Sequence, residues 1–127
     1  MYRIAVDFDG TIVENKYPQI GKPLPFAFET LKAFQRKGCI LILWTCREGE
    51  LLEEAVEFCK KNGVEFYAVN QNHPNEAGFI ETSRKIDTRF YIDDRSIPPF
   101  QGWGETFQMI FPDEIIPIKR KKRFFLL

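Results

Sequence analysis

Short, wholly apolar segments alternate with longer amphipathic segments along most of the chain. Short apolar runs are typical of strands buried in a parallel sheet, whereas apolar residues spaced three or four positions apart predict helices. The pattern predicts strands at residues 3–6, 39–44, 65–69 and 90–92, and helices from about 25 to 38 and from about 50 to 62. A final amphipathic stretch, residues 104–111, fits a helix or an edge strand.

Proline and glycine set the predicted limits of these elements. Residues 11–25 contain three prolines, so we expect a loop or a tight flap there. Pro25 suits the first turn of the helix that follows, and Gly38 suits its end. Residues 70–78 are polar and contain asparagine, proline and glycine, which predicts a second loop.

The alternation of strands and helices predicts an α/β fold. The connections are too long for hairpins, which implies right-handed crossovers and a Rossmann-like parallel sheet covered on both faces. At 127 residues the chain is long enough for one domain with a single core. We assign residues 1–111 to that domain and residues 112–127 to a basic and apolar tail.

Composition narrows the classes of protein to which the chain can belong. Apolar residues make up 44% of the chain, which is typical of a globular protein, and no apolar run is long enough to cross a membrane. The first residues contain no signal-like apolar block. The three cysteines lack metal-ligand spacing, which favours free thiols and a cytoplasmic location.

The charge is distributed unevenly. Residues 113–127 carry five basic and two acidic side chains, a net charge of +3, and the zero total leaves −3 for the rest. The favoured interpretation of this tail is a solvated charge run whose terminal apolar residues dock on the body or on a second subunit. The alternative is a contact with nucleic acid or an anionic membrane.

Polar side chains of catalytic type follow three of the predicted strands. Asp7 and Asp9 come after the first strand, Thr45 after the second, and Asp93 and Asp94 after the fourth. The carboxyl ends of parallel strands share one edge, so these groups are expected to lie together. Carboxylates at such close quarters must be neutralised by a cation or by protonation. Oxygen ligands without a histidine or cysteine cluster favour Mg²⁺ over zinc.

A site of this kind suits phosphoryl transfer, which depends mainly on positioning and charge neutralisation. Asp7 can attack phosphorus and form an acyl phosphate, while Asp9 protonates the leaving oxygen and later activates water. Thr45 and a cation such as Lys85 can hold the non-bridging oxygens. Gly10 permits a close approach of backbone N–H groups to the phosphate.

Four sequence features together resemble the signature motifs of the haloacid dehalogenase (HAD) superfamily, in the expected order. They are the run Asp7-Phe8-Asp9-Gly10-Thr11, the apolar strand ending in Thr45, Lys85, and the pair Asp93-Asp94. The resemblance spans about residues 1–94, and more weakly extends to 111. It is strongest to small capless bacterial members of unassigned substrate, and it implies a three-layer α/β/α fold. The gaps at 11–25 and 70–84 are too short for a cap domain.

The resemblance also implies roles for individual residues. Asp7 is the implied nucleophile and a metal ligand, and Asp9 the general acid and base, with its backbone carbonyl on the metal. Asp93 and Asp94 are the implied remaining magnesium ligands. The dehalogenases of the superfamily lack the second aspartate, so Asp9 implies a phosphatase.

The remaining implied roles concern the phosphoryl group. Thr45 is its implied binding residue, with Gly10 and Thr11 alongside, and Lys85 is the implied cation that steadies the phosphate. Lys85 lies only eight residues before Asp93, which leaves little room for the helix that usually carries this lysine. Arg84 and Arg47 are therefore alternative candidates for the phosphate-steadying cation.

We therefore expect a Mg²⁺-dependent phosphomonoester hydrolase that acts through phospho-Asp7 on a small phosphorylated substrate. An open site without a cap gains specificity from a neighbouring subunit of a homo-oligomer or from a bulky substrate. The alternative is a catalytically weak phosphate- or nucleotide-binding module acting through partners. A third hypothesis is a phosphatase of nucleic-acid ends recruited by the tail.

Overall fold

The fold is built on a four-stranded parallel sheet. The computed structural model describes residues 2–74 and 85–114. Its elements are β1 (Arg3–Val6), β2 (Val13–Lys16), β3 (Gln19–Pro23), α1 (Ala27–Arg36), β4 (Ile40–Leu43), α2 (Gly49–Lys61), β5 (Ala68–Val69), β6 (Phe90–Ile92) and α3 (Trp103–Ile110). The strand order in the sheet is β5-β4-β1-β6.

The register of the sheet aligns the ends of β1, β4 and β6. Val6 lies opposite Leu43 of β4 and opposite Ile92 of β6. The residues that follow these three strands therefore emerge at one edge. The chain runs outward from β1 to β4 and β5, then returns to β6 on the other side of β1. Such a reversal of strand order creates a crevice for ligands at the carboxyl ends of the strands.

One face of the sheet carries the main core. Alternate strand residues such as Ile4, Val6 and Leu41 point to this face because successive side chains in a strand point to opposite sides. Side chains from all three helices pack in the same cluster: Phe28, Leu31 and Phe34 of α1, Ala55 and Cys59 of α2, and Trp103, Phe107 and Ile110 of α3. The described helices thus cover this face.

The opposite face is covered differently. Ala5, Ile42 and Ala68 point to this side and pack with Ile86, which lies in the connection between β5 and β6. Trp44 and Tyr91 add aromatic cover, with ring centroids 5.0 Å apart. Ile86, which precedes β6, therefore packs on the face opposite to the described helices.

The predicted strands and helices agree well with the structure, with two corrections and one choice between alternatives. The helix predicted to include Pro25 in its first turn begins at Ala27, after Phe26 in a left-handed conformation, φ 66°. The predicted third strand is limited to Ala68–Val69. The stretch 104–111 forms helix α3, which decides between the two alternatives.

Residues 11–25, for which the sequence predicts a loop or a tight flap, contain an antiparallel hairpin. β2 pairs with β3, and we call residues 13–23 the flap hairpin. Gly21 is required there because a Cβ at this position would lie 2.2 Å from the carbonyl oxygen of Glu14. β2 exposes every residue except Val13, so it lacks the hydrophobic alternation by which strands are predicted.

The end of the described chain packs on α1. Glu114 forms an ion pair with Lys37 at 3.0 Å, and the Lys37 ammonium lies 4.9 Å from the centre of the Phe111 ring. Residues 115–127, which include the predicted tail run 119–127, lie outside the described residues. Within the described part of the chain, no helix is both long and apolar enough to cross a bilayer.

Trp103 connects α3 to the segment that follows β1. Its ring is 2% exposed, packs on Phe100, and donates a hydrogen bond of 2.9 Å from Nε1 to the carbonyl oxygen of Thr11. A buried carbonyl that loses its donor costs free energy, because water cannot replace the bond. Trp103 thereby supports both the helix and the start of the flap hairpin.

Replacing this tryptophan tests its contribution to stability. We expect Trp103→Phe to lower the free energy of unfolding by about 1–3 kcal/mol, because it leaves the Thr11 carbonyl unpaired. Urea denaturation followed by circular dichroism measures the change. The control is Met109→Leu on the same helix, where the side chain is 65% exposed and the change should stay within about 0.5 kcal/mol. Equal midpoints for wild type and Trp103→Phe would contradict this assignment.

Candidate functional site

Three carboxylates meet at the carboxyl edge of the sheet. Asp7 follows β1, while Asp93 and Asp94 follow the neighbouring strand β6. One oxygen from each side chain lies within 4.8 Å of the others. The backbone N–H of Asp7 donates to the carbonyl oxygen of Ile92 at 3.0 Å, which continues the ladder to the point where these carboxylates project. The structure thus brings together three of the four predicted metal ligands.

Thr11 connects two of these carboxylates. Its hydroxyl lies 3.1 Å from Oδ2 of Asp7 and 3.3 Å from Oδ1 of Asp94, and it accepts the backbone N–H of Asp94 at 3.1 Å. A hydroxyl carries one hydrogen, so it donates to one carboxylate at a time. Thr11 is fully buried, and its side chain orients the two carboxylates. Its role in substrate binding, which the resemblance implies, stays a prediction.

Gly10 allows the two strand ends to come this close. Its φ is +88°, and a Cβ at this position would lie 2.5 Å from Oδ2 of Asp94. Any side chain here would displace Asp94 and strain the backbone. Gly10 therefore contributes to the site through the space that it leaves for a carboxylate.

Asp7 is a weaker acid than an ordinary aspartate side chain. Burial, a hydrogen bond with Asp94 and the charge of Asp93 raise the pKa of Asp7 from 3.8 to about 7, against smaller opposing effects of Thr11 and the Phe8 backbone. The negative charges of this cluster destabilise one another because each is only partly solvated. A positive ion or a proton at this position relieves that repulsion.

Asp9 has very different surroundings. Its carboxylate accepts two hydrogen bonds from Arg47, from Nε to Oδ2 and from Nη2 to Oδ1, both at 2.8 Å. The Asp9 side chain is 14% exposed and the Arg47 side chain is fully buried. The hydrogen bond to Asp9 raises the pKa of Arg47 above its usual value, so the guanidinium stays charged. The Asp9 side chain is therefore held by Arg47, apart from the three clustered carboxylates.

Thr45 lies at the end of β4, beside the same cleft. Its hydroxyl accepts the backbone N–H of Arg47 at 3.1 Å, and its own N–H donates to Oδ1 of Asn70 at 2.8 Å. Asn70 has a φ of 55°, the left-handed conformation that asparagine tolerates. The predicted strand end thus places a threonine hydroxyl where sequence analysis expected it.

A cleft of about 430 Å³ opens in front of these groups. It is lined by Asp7, Asp9, Asn15, Tyr17, Thr45, Cys46, Arg47, Asp93 and Arg95. Sequence analysis assigned no site role to Asn15, Tyr17 or Arg95. Asn15 and Tyr17 belong to or adjoin β2, and the unrecognised flap hairpin brings them to the cleft. Arg95 directly follows the Asp93-Asp94 pair, so its position in the sequence indicated that it would lie close to the site.

Lys85 lies elsewhere among the described residues. It is exposed and lines a separate cleft with Ile86, Asp87, Thr88 and Tyr91. Arg84, the second candidate for the phosphate-steadying cation, lies outside the described residues. Of the two predicted cations that the structure describes, Arg47 lines the cleft with Asp7 and Asp9, and Lys85 does not.

Two of the three cysteines are buried, and the third lines the cleft. Cys39 and Cys59 are buried, and burial raises the pKa of both thiols, to about 12 for Cys59. Thiols with raised pKa values are poor nucleophiles at neutral pH. Cys46 is exposed and lines the cleft beside Thr45.

Comparison with known proteins identifies one relative. No protein-family model matches the sequence, and no curated protein matches it either. A solved structure, described as that of "the conserved protein coded by locus from Bacteroides thetaiotaomicron", is 50% identical to this chain. The match covers 89% of this chain and 92% of that one, with a TM-score of 0.83. The chain therefore belongs to the same family as this Bacteroides protein, whose description states no activity.

The acidity of Asp7 predicts a specific pH dependence of stability. The folded state retains a proton on Asp7 up to about pH 7, whereas the unfolded state loses it near pH 3.8. The folded state thus binds more protons in this window, so the free energy of unfolding falls as pH rises through it. In EDTA, Asp7→Asn should remove this part of the decline, measured by urea denaturation at several pH values. Asp113→Asn is the control, and identical pH profiles for wild type and Asp7→Asn would contradict the prediction.

Proposed function

We propose that the chain is a Mg²⁺-dependent phosphomonoester hydrolase in which Asp7 accepts the phosphoryl group. The observation that carries the proposal is the meeting of Asp7, Asp93 and Asp94 at one sheet edge, with the Asp9 carboxylate in the same cleft. The resemblance of the sequence motifs to those of the HAD superfamily points to the same reaction. The three-layer, capless form of that fold is part of this proposal.

The donor set fits Mg²⁺. Asp7, Asp93 and Asp94 offer carboxylate oxygens, which are the ligands that hard divalent cations prefer. The raised pKa of Asp7 supports the assignment, because a cation would stabilise the charged carboxylates. When bound, Mg²⁺ supplies positive charge between an anionic nucleophile and an anionic phosphate.

Asp7 is the proposed nucleophile because it lies both in the acidic cluster and on the wall of the open cleft. One of its carboxylate oxygens attacks phosphorus, and the ester bond to the leaving oxygen breaks. Asp9 lies two residues away on the same cleft and exchanges a proton with the leaving oxygen and later with water. The two aspartates thus take different roles.

The phosphoryl oxygens need donors and positive charge. Thr45 lines the cleft; its hydroxyl accepts the backbone N–H of Arg47, and its own backbone N–H donates to Asn70. Arg95 is exposed on the same cleft, one residue after the aspartate pair, and is our proposed cation for the phosphate. Lys85, the cation implied by the resemblance, lines a different cleft in the described structure.

The proposed substrate class is based on the size of the cleft. A cleft of about 430 Å³ accepts a small phosphorylated compound, which is the substrate class that we propose. Homo-oligomer formation that covers the open cleft, and a cytoplasmic location, remain proposals from the sequence. The alternative function is a phosphate- or nucleotide-binding module that holds its ligand without turnover.

Turnover of a generic substrate tests the proposed function. We expect wild type to release p-nitrophenol from p-nitrophenyl phosphate in Mg²⁺, EDTA to abolish the release, and Asp7→Asn to lower kcat by more than about 10³-fold. Asp113→Asn, an exposed aspartate outside the cleft, serves as the matched control. Mg²⁺-dependent phosphate binding without turnover would favour the binding module instead.

Metal binding can be tested without activity. We expect Mg²⁺ to raise the thermal midpoint of wild type in a concentration-dependent manner, because ligand binding to the folded state stabilises it. Asp93→Asn and Asp94→Asn should weaken this effect, whereas Asp87→Asn, another aspartate near β6, should not. A midpoint that is unchanged by Mg²⁺ in wild type would contradict the proposed metal site.

A further inference from the structure

Arg47 is the most completely buried charge among the described residues of the cleft. Its side chain is fully inaccessible to solvent, although arginine remains charged at any physiological pH. Burying a charge is costly unless it is paired and hydrogen-bonded. The contacts of Arg47 therefore indicate what the residue does.

The guanidinium joins three parts of the fold. It makes the two hydrogen bonds to Asp9, donates from Nη2 to the carbonyl oxygen of Gln19 at 3.1 Å, and donates from Nη1 to that of Leu51 at 3.3 Å. Gln19 begins β3 of the flap hairpin, and Leu51 lies in the first turns of α2. Arg47 thus ties the end of β1 to the hairpin and to α2.

Two aromatic rings complete its surroundings. The guanidinium carbon lies 5.2 Å from the centre of the Phe8 ring and 5.2 Å from the centre of the Tyr17 ring. Both distances are within the range in which a cation is attracted to a ring face. Tyr17 belongs to the flap hairpin segment, so this contact also fixes the hairpin against the cleft.

These contacts use most of the hydrogen-bond donors of Arg47, so few donors remain for a phosphate. A guanidinium has five N–H donors, and four of them are used by Asp9, Gln19 and Leu51. The buried side chain also presents no surface to solvent. The role of phosphate-steadying cation, which sequence analysis left open for Arg47, does not match this geometry.

We propose that Arg47 is the positioning residue of Asp9. It fixes both oxygens of the Asp9 carboxylate on the wall of the cleft and locks the flap hairpin around them. A carboxylate has about four acceptor positions, and Arg47 occupies two, which leaves positions on Asp9 for a proton in transit. This inference rests on the proposed function.

The proposal specifies a proton transfer. As the Asp7 oxygen forms its bond to phosphorus, the ester P–O bond breaks, and the leaving oxygen takes a proton from the Asp9 carboxylic acid. In the second step Asp9 takes a proton from water, whose oxygen attacks phosphorus and releases Asp7. An alkyl leaving group needs the proton, whereas p-nitrophenolate departs readily without it. Loss of Asp9 positioning must therefore slow alkyl esters more than the nitrophenyl ester.

The experiment compares kcat/KM for glycerol 2-phosphate and for p-nitrophenyl phosphate. The variants are Arg47→Lys, Asp9→Asn and the double variant, with Arg36→Lys as the matched control on the exposed end of α1. Lysine keeps the charge but cannot make the two-pronged contact. Asp9→Asn keeps the shape of the side chain, so it remains informative if Arg47→Lys folds poorly.

We expect Asp9→Asn to lower kcat/KM for glycerol 2-phosphate by about 10²–10⁴-fold, with a much smaller loss for the nitrophenyl ester. Arg47→Lys should show the same leaving-group pattern, with a loss of about 10–10²-fold for the alkyl ester. The double variant should resemble Asp9→Asn alone, because both changes remove the same proton transfer.

Two results would overturn the inference. Equal losses of Arg47→Lys on both esters would indicate phosphate binding or a purely structural role. Additive losses in the double variant would show that Arg47 acts independently of Asp9. If wild type turns over neither ester, the proposed function itself fails, an outcome that is distinct from an active wild type with equal losses.

Discussion

Electrostatic repulsion among Asp7, Asp93 and Asp94 is the constraint around which the site is arranged. The parallel register of β1 and β6 brings their carboxyl ends side by side, so the carboxylates that follow cannot separate. Gly10 leaves room for the contact and Thr11 bridges it with a hydroxyl. The folded chain thus keeps carboxylates together in a partly buried place at a cost in stability, because burial, the hydrogen bond with Asp94 and the charge of Asp93 raise the pKa of Asp7. Such costs are typical of functional sites.

Two aspartates separated by one residue have opposite surroundings. Asp7 lies among other carboxylates, whereas Asp9 is held by a buried arginine that packs on two aromatic rings. Enzymes commonly assign different roles to neighbouring carboxyl groups through such differences in environment. The flap hairpin contributes to this division, because its backbone and Tyr17 complete the shell of Arg47.

Much of the fold was predictable because burial imposes periodicity on the sequence. The apolar runs of β1, β4 and β6 and the apolar stripe of α1 indicate buried faces, and the long connections between strands then predict a parallel sheet. The flap hairpin was not predictable in this way, because β2 buries only Val13. The strand-end carboxylates were also predictable, since their place depends only on where the strands end. The pairing of Arg47 with Asp9 was not predictable from the sequence. The two residues are 38 positions apart, and only the packing of the hairpin and α2 brings them together.

The proposed function requires that Asp7 carries the phosphoryl group during turnover. The most direct test uses Asp9→Asn with p-nitrophenyl phosphate and Mg²⁺, because this ester reacts without a proton donor while the missing base slows hydrolysis of the intermediate. Acid quenching, proteolysis and mass spectrometry then locate the phosphoryl group. We expect a phosphorylated peptide with the modification on Asp7, absent in Asp7→Asn. Release of p-nitrophenol without a phosphorylated Asp7, or with the phosphoryl group on another residue, would contradict it.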